Sequence, residues 1–225
     1  CMVFEKCGLS LFEFLRKNHY KPFSPYLVQT FGRQLLRAVA FLHTLKLVHT
    51  DLKPENILLL SSAYQRVPVS SGSKFTKRVP MDSTIRLIDF GSATFENQYH
   101  STVVSTRHYR APEVILGMGW SYPCDVWSVG CILIELLTGD ALFQTHENLE
   151  HLAMMQVVLG PIHRDVIKRA DKHAQKYFRD GAELNWPEGS QSAESTRAVG
   201  KMKRLKDIVC SRVDGASACL LYTTD

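Results

Sequence analysis

The hydrophobic repeat that follows Ser24-Pro25 constrains this chain most: Val28, Phe31, Leu35, Val39 and Leu42 recur at three- and four-residue steps. That spacing lays five apolar side chains along one stripe of a helix of about five turns, opened by a serine N-cap and a proline at the first helical position. The segment 123–137 is apolar on every face and predicts a helix buried nearly all round. A shorter helix is expected over 9–18, where Ser10 and Glu13 form a capping box. Another is expected over 147–159, with Leu149, Leu152, Met155 and Leu159 as its stripe.

Short apolar runs at 2–4, 45–49, 57–60 and 85–88 read as strands set within a majority of helix, which predicts a mainly α fold of the α+β kind. Residues 61–83, rich in Ser, Lys and Arg with prolines at 68 and 80, read as an exposed, hairpin-forming insertion. From 163 to 207 shorter helices are expected, broken at Gly181 and Pro187, and the last fifteen residues carry no usable period.

Composition narrows the class. With 45% hydrophobic and 22% charged residues among 225, there is material for a sizeable core, so disorder is not expected. A net charge of +5 suits phosphate-bearing ligands or an acidic partner, and equally a solvated surface rich in lysine. The six cysteines, at 1, 7, 124, 131, 210 and 219, form no C-x-x-C pair and read as reduced thiols of an intracellular protein. No signal-peptide pattern opens the chain, and no apolar run approaches the roughly 18 residues that suggest a membrane span. The opening Cys1-Met2-Val3-Phe4-Glu5 reads as a strand already under way, as if the chain were cut inside an element.

Three motifs stand in one order: His49-Thr50-Asp51-Leu52-Lys53-Pro54-Glu55-Asn56, then Asp89-Phe90-Gly91, then Ala111-Pro112-Glu113. Phosphoryl transfer accounts for these residue types, because it needs positioning and charge neutralisation more than covalent help. Asp51 can accept the proton of an attacking hydroxyl, and the Lys53 ammonium can steady the migrating phosphoryl group. Asn56 and Asp89 offer hard oxygen ligands for Mg2+. His146-Glu147 and His151 do not make a zinc site, since the histidines are five apart and H-E-x-x-H needs four. Arg197, Lys201, Lys203, Arg204 and Lys206 read as a solvated helix face, with no interleaved aromatic to stack a base.

The three motifs together resemble the signature set of protein kinases. Asp125-Val126-Trp127-Ser128-Val129-Gly130-Cys131 resembles the buried helix of kinase large lobes, whose aspartate, here Asp125, braces the catalytic-loop backbone. Ser105-Thr106-Arg107-His108-Tyr109-Arg110, Glu150-His151-Leu152-Ala153-Met154-Met155 and the threonine at position 50 are similar to the dual-specificity LAMMER kinases of the CMGC group. The likeness runs from residue 2 to about 209, and departs from the family at Gln156-Val157, where Glu-Arg is usual.

The resemblance implies a partial kinase domain over 1–209, made of hinge and large (C-terminal) lobe with small β-hairpins, the insertion 61–83, and a divergent tail over 210–225. It implies a nucleotide-binding transferase that takes ATP and Mg2+, phosphorylates Ser/Thr and also Tyr of proteins, acts on Arg/Ser-rich splicing factors and resides in the nucleus, with the cytoplasm as a second compartment. No membrane and no direct nucleic-acid partner is expected. By likeness, Phe4 is the gatekeeper, Glu5 and the Cys7 backbone meet adenine, and Leu58 lies beneath the ring. His49, Phe90, Gly91, Glu113 and Asp125 support the site.

With Thr50 where an arginine is usual, the guanidinium clamp on a phosphorylated loop is missing, so activity is not expected to require phosphorylation within 92–110. No G-x-G-x-x-G and no V-A-I-K-like strand occurs, so the small lobe is expected to be absent and the chain alone weak or inactive. A kinase-derived binding module or a truncated product is the alternative. The arginine that the family pairs with Glu113 is also missing from its usual motif, which predicts reduced stability.

Overall fold

The computed structural model describes residue 1 and residues 3–69 and 72–213. Helix α1 (Leu11–Lys17) starts two residues later than expected, behind the predicted box: Ser10 Oγ accepts from Glu13 N–H, and the Glu13 carboxylate accepts from Ser10 N–H. Helix α2 (Pro25–Thr44) starts at Ser24 and Pro25 as its sequence dictates, and buries Leu27, Val28, Phe31, Leu35, Val39 and Leu42. Each such side chain contributes on the order of 1.5–3 kcal/mol.

That stripe packs on α4 (Pro123–Thr138). The two helices approach closely at Gly32, where a Cβ would lie 3.1 Å from Leu133 Cδ2. Helix α4 ends at Gly139, whose φ of +92° closes the turn in the left-handed region, with Tyr20 O only 2.1 Å from where a Cβ would be. Helix α4 is not buried all round. Val126 is half exposed, and Trp127, Leu133 and Ile134 line an open apolar cavity of ≈ 770 Å³ together with Leu159, Leu205 and Val209.

Helix α5 (Asn148–Leu159) departs from its expected single stripe in the other direction. Glu150, His151, Ala153 and Met154 are buried together with Leu152 and Met155, while Leu159 is exposed. Glu150 tolerates burial because the Thr145 and Ser195 hydroxyls both donate to its carboxylate, Ser195 from α7 (Ala193–Gly200). Short helices α3 (Pro112–Ile115), α6 (Arg164–Arg169) and α8 (Leu205–Cys210) complete the helical part.

The strands are short and antiparallel in four two-stranded ladders. They pair β1 (Leu47–Val48) with β6 (Thr94–Phe95), β2 (Ile57–Leu59) with β5 (Ile85–Leu87), β3 (Tyr64–Pro68) with β4 (Thr76–Pro80), and β7 (Phe178–Arg179) with β8 (Glu183–Leu184). The β3–β4 hairpin lies within 61–83, where a hairpin is expected. The strand expected at 2–4 is not formed by its described residues: Val3 and Phe4 stand 94% and 79% exposed, and Met2 lies outside the described residues. Backbone pairing begins only where a neighbour offers a ladder, at Gly8 N–H to Leu59 O and Leu59 N–H to Leu9 O.

The five described cysteines are free thiols, and Cys219 lies outside the described residues, as does most of the aperiodic tail. No described helix is long and apolar enough to cross a membrane.

Candidate active site

Two ladders bring the polar motifs around Asp51 and Asp89 face to face. In β2–β5, Ile57 pairs with Leu87, and the next rung, Ile88 N–H to Asn56 O at 2.9 Å, sets Asn56 beside the residue preceding Asp89. In β1–β6, Val48 pairs with Thr94, which draws the loop after Val48 against the turn after Asp89.

The loop between β1 and β2 is held from beneath by Asp125 on α4. Its Oδ2 accepts from His49 N–H and its Oδ1 from Thr50 N–H, both at 2.9 Å, and His43 Nε2 of α2 lies 3.0 Å from Oδ2. Asp125 is 1% exposed, so the carboxylate satisfies two buried amide donors that water cannot reach. These bonds hold Thr50 at φ +67°, a left-handed conformation that a β-branched residue adopts at a cost of about 1–3 kcal/mol. The Thr50 hydroxyl donates to Ser92 O at 2.8 Å, so the residue that stands in for an arginine ties the loop to the turn that follows Asp89.

His49 is fully buried and packs on the Phe90 ring at 5.1 Å. Ile88 O, 3.1 Å from Nε2, can only accept, so Nε2 carries the proton and Nδ1 accepts from Asp51 N–H at 3.3 Å. One imidazole thereby spans the strand before Asp89 and the backbone of Asp51. Asp89 itself is exposed at φ +66°, with Oδ1 accepting from Gly91 N–H at 3.4 Å.

Asp51 sits at the wall of a polar cavity of ≈ 490 Å³ shared with Thr50, Ser92, Tyr99, Thr106 and Arg110. Lys53 Nζ donates to its Oδ2 at 2.6 Å, while Thr106 gives Oδ1 a backbone N–H at 3.1 Å and its hydroxyl at 2.7 Å. Burial alone would raise its carboxyl's pKa, but the Lys53 and Thr106 hydrogen bonds together with the Lys53 charge outweigh it and hold the group below the usual carboxylate range. Asn56 Nδ2 donates to Asp51 O at 3.0 Å, which leaves its Oδ1 as the oxygen available to a cation.

The remaining predicted residues lie farther out. Glu5 pairs with Arg86 at 3.1 Å, and Arg86 stands opposite Leu58 in the β2–β5 register, so Glu5, Cys7 and Leu58 border one edge while Phe4 projects into solvent. Glu113 is separate from this centre and lines the apolar cavity beside Trp127 and Leu205. It takes part in no ion pair among the described residues, and burial raises its pKa above the usual range.

Sequence reasoning missed Thr106, His43 and Tyr109. Thr106 lies within a quoted motif, yet nothing local says that it folds back 55 residues onto Asp51. His43 reaches Asp125 only because α2 packs on α4. The Tyr109 hydroxyl donates to buried Glu135 at 2.7 Å and Ser128 Oγ donates to Tyr109 O at 2.8 Å, which anchors the segment before Ala111 to α4.

The known proteins that this chain resembles are protein kinases. The family described as protein kinase domain matches residues 1–204. The serine/threonine-protein kinase AFC1 of Arabidopsis thaliana is 58% identical over 98% of this chain and 49% of its own length. The dual specificity protein kinase CLK2 of Homo sapiens is 51% identical over 88% of this chain and 39% of its own. A crystal structure of a kinase domain superimposes with a TM-score of 0.83 at 42% identity, covering 90% of this chain and 61% of that one. The chain thus spans about half the length of the plant relatives it matches. It belongs to the protein kinase family, and the relatives it matches are LAMMER-type kinases.

Proposed function

We propose that this chain forms the site that transfers the γ-phosphate of ATP to Ser or Thr, and also Tyr, hydroxyls of proteins, with Arg/Ser-rich splicing factors in the nucleus as substrates. The carrying observation is the Asp51 carboxylate, which accepts a hydrogen bond from the Thr106 hydroxyl at 2.7 Å while Lys53 holds its other oxygen. That is the reach required of a general base toward an incoming alcohol. The alcohol oxygen forms the new O–P bond, its proton passes to Asp51, and ADP leaves with the electrons of the broken O–P bond. Lys53, beside Asp51 and 3.4 Å from the Thr106 hydroxyl, is placed to neutralise the migrating group.

The donor set suits Mg2+: one amide oxygen from Asn56 and one carboxylate from Asp89, both hard, on adjacent ends of one ladder. Two protein oxygens suffice for an ion that keeps several waters and takes the rest of its shell from nucleotide phosphates. When bound, Mg2+ neutralises charge on those phosphates. His49, Phe90 and Gly91 set the turn that presents Asp89, and the edge bordered by Glu5, Cys7 and Leu58 is the candidate adenine contact.

In this reading residues 1–209 are the hinge and large lobe of a kinase domain with 61–83 inserted, and 210–225 are a tail. A binding module that docks substrates without transfer is the second reading, favoured by the exposure of Phe4, which closes no wall over a nucleotide. The test is radiolabelled phosphate transfer from Mg·ATP to an Arg/Ser-repeat peptide by the 225-residue chain and by Asp51→Asn. Slow transfer abolished by the substitution is expected. No transfer, with Mg·ADP still bound, favours the binding module, and transfer that survives Asp51→Asn refutes the role of Asp51.

A further inference from the structure

The β3–β4 hairpin carries a local conflict that the kinase reading does not use. In its register Arg66 stands directly opposite Arg78, so two guanidinium groups share one face of a two-stranded ladder. Like charges in that position oppose pairing. Neither arginine, nor the adjacent Lys21, makes an ion pair with a carboxylate among the described residues.

The arrangement is nevertheless fixed from below. Asn18, 4% exposed at the end of α1, donates Nδ2 to Arg78 O at 3.1 Å and accepts Arg78 N–H at 2.8 Å. A buried amide side chain therefore clamps both backbone polar groups of one arginine. The Arg78 guanidinium rests on the Tyr64 ring at 4.6 Å, and Lys21 Nζ donates to Thr76 O at 3.1 Å, two residues along the same strand. Arg78 is therefore held at its backbone by a buried clamp and at its guanidinium by an aromatic prop, which preorganises that cation for an anion.

We propose that this face binds a phosphoserine-bearing segment of a protein. A phosphoserine carries a charge of about −1.5 to −2 and three acceptor oxygens, enough to engage both opposed guanidinium forks, whereas a carboxylate brings a single charge and two oxygens. Nucleic acid fits less well. One side of the Tyr64 ring is taken by Arg78, and exposed Phe75 falls on the other face of the hairpin by the two-residue alternation, so the cationic face offers no row of free rings for successive bases to stack on. This surface is distinct from the Asp51 centre, and the inference does not depend on phosphate transfer there.

Fluorescence anisotropy of a labelled peptide with two phosphoserines, titrated with the full 225-residue chain, tests it. The chain should bind this peptide at least tenfold more tightly than its unphosphorylated form and than a single-stranded RNA of equal charge. Arg66→Ala with Arg78→Ala should weaken phosphopeptide binding tenfold or more and flatten its salt dependence. Arg66→Gln, at an exposed side chain, should weaken binding without lowering the unfolding temperature, which keeps the test open if the double variant unfolds. Equal binding by parent and Arg66→Gln, equal affinity for phosphorylated and unphosphorylated peptide, or tighter binding of RNA would each overturn the proposal.

Discussion

Asp125 is the residue whose loss should be felt most widely, because one buried carboxylate holds two backbone amides and faces one imidazole. In Asp125→Ala both the His49 and Thr50 N–H groups lose their acceptor inside the protein. Each orphaned buried donor costs about 1–3 kcal/mol, so the expected destabilisation is about 2–6 kcal/mol. Against a typical domain stability of about 5–15 kcal/mol, that is a large share. Part of the loss is recovered if Thr50 leaves its left-handed conformation, which returns about 1–3 kcal/mol while displacing Asp51. Asp125→Asn keeps one oxygen and turns an NH2 toward the second amide, so it should cost about half as much.

Urea unfolding of parent, Asn and Ala forms, with amide exchange at His49 and Thr50, measures both effects. The order parent, Asn, Ala should hold for stability, and protection at the two amides should fall in the same order. An alanine variant within about 0.5 kcal/mol of the parent, with those amides still protected, would refute the bracing argument.

Two further outcomes follow from buried groups. His151 is fully enclosed with both ring nitrogens unpartnered, and burial first, then the charges of Arg107, Arg110 and His108, hold its pKa down to about 3. The unfolded chain takes up that proton near pH 6.5 and the folded chain does not. Stability from this group is therefore complete above pH 6.5 and is lost as pH falls toward 3, at up to about 1.4 kcal/mol per unit. His151→Phe should remove that part of the slope, read as a variant-minus-parent difference that grows by about 2–3 kcal/mol between pH 6.5 and 4.5 in denaturant titrations; parallel curves would contradict the argument. Gly139→Ala places a methyl against Tyr20 O at positive φ and should cost more than about 1 kcal/mol by thermal unfolding, where an unchanged midpoint would count against the tight α4 turn.

What could be read from the chain in advance was mostly local. Ser10 with Glu13, and Ser24 with Pro25, announce their helices because the capping partners lie within four residues. The motif residues Asp51, Lys53 and Asn56 meet because they share one short loop, and Asp89 joins them through a ladder whose two apolar runs were visible. Burial of Glu150 was not visible, since it depends on Thr145 and Ser195 from two other segments, and that of His151 depends on packing against Phe143. The exposed side of α4 was equally hidden, because an all-apolar sequence does not say which faces find a neighbour. Thr106 changes one expectation in detail. Replacing Thr106 by alanine removes a hydroxyl from Asp51, so that substitution alone does not isolate the question of phosphorylation within 92–110.

The central claim is that Asn56 and Asp89 form a nucleotide-linked Mg2+ site beside Asp51. Calorimetric titration of ADP into the 225-residue chain, with and without Mg2+, and into Asp89→Asn, tests it most directly. The account predicts binding that requires Mg2+ and weakens at least tenfold in Asp89→Asn. Equal affinity without the metal, or in the substituted chain, would contradict it.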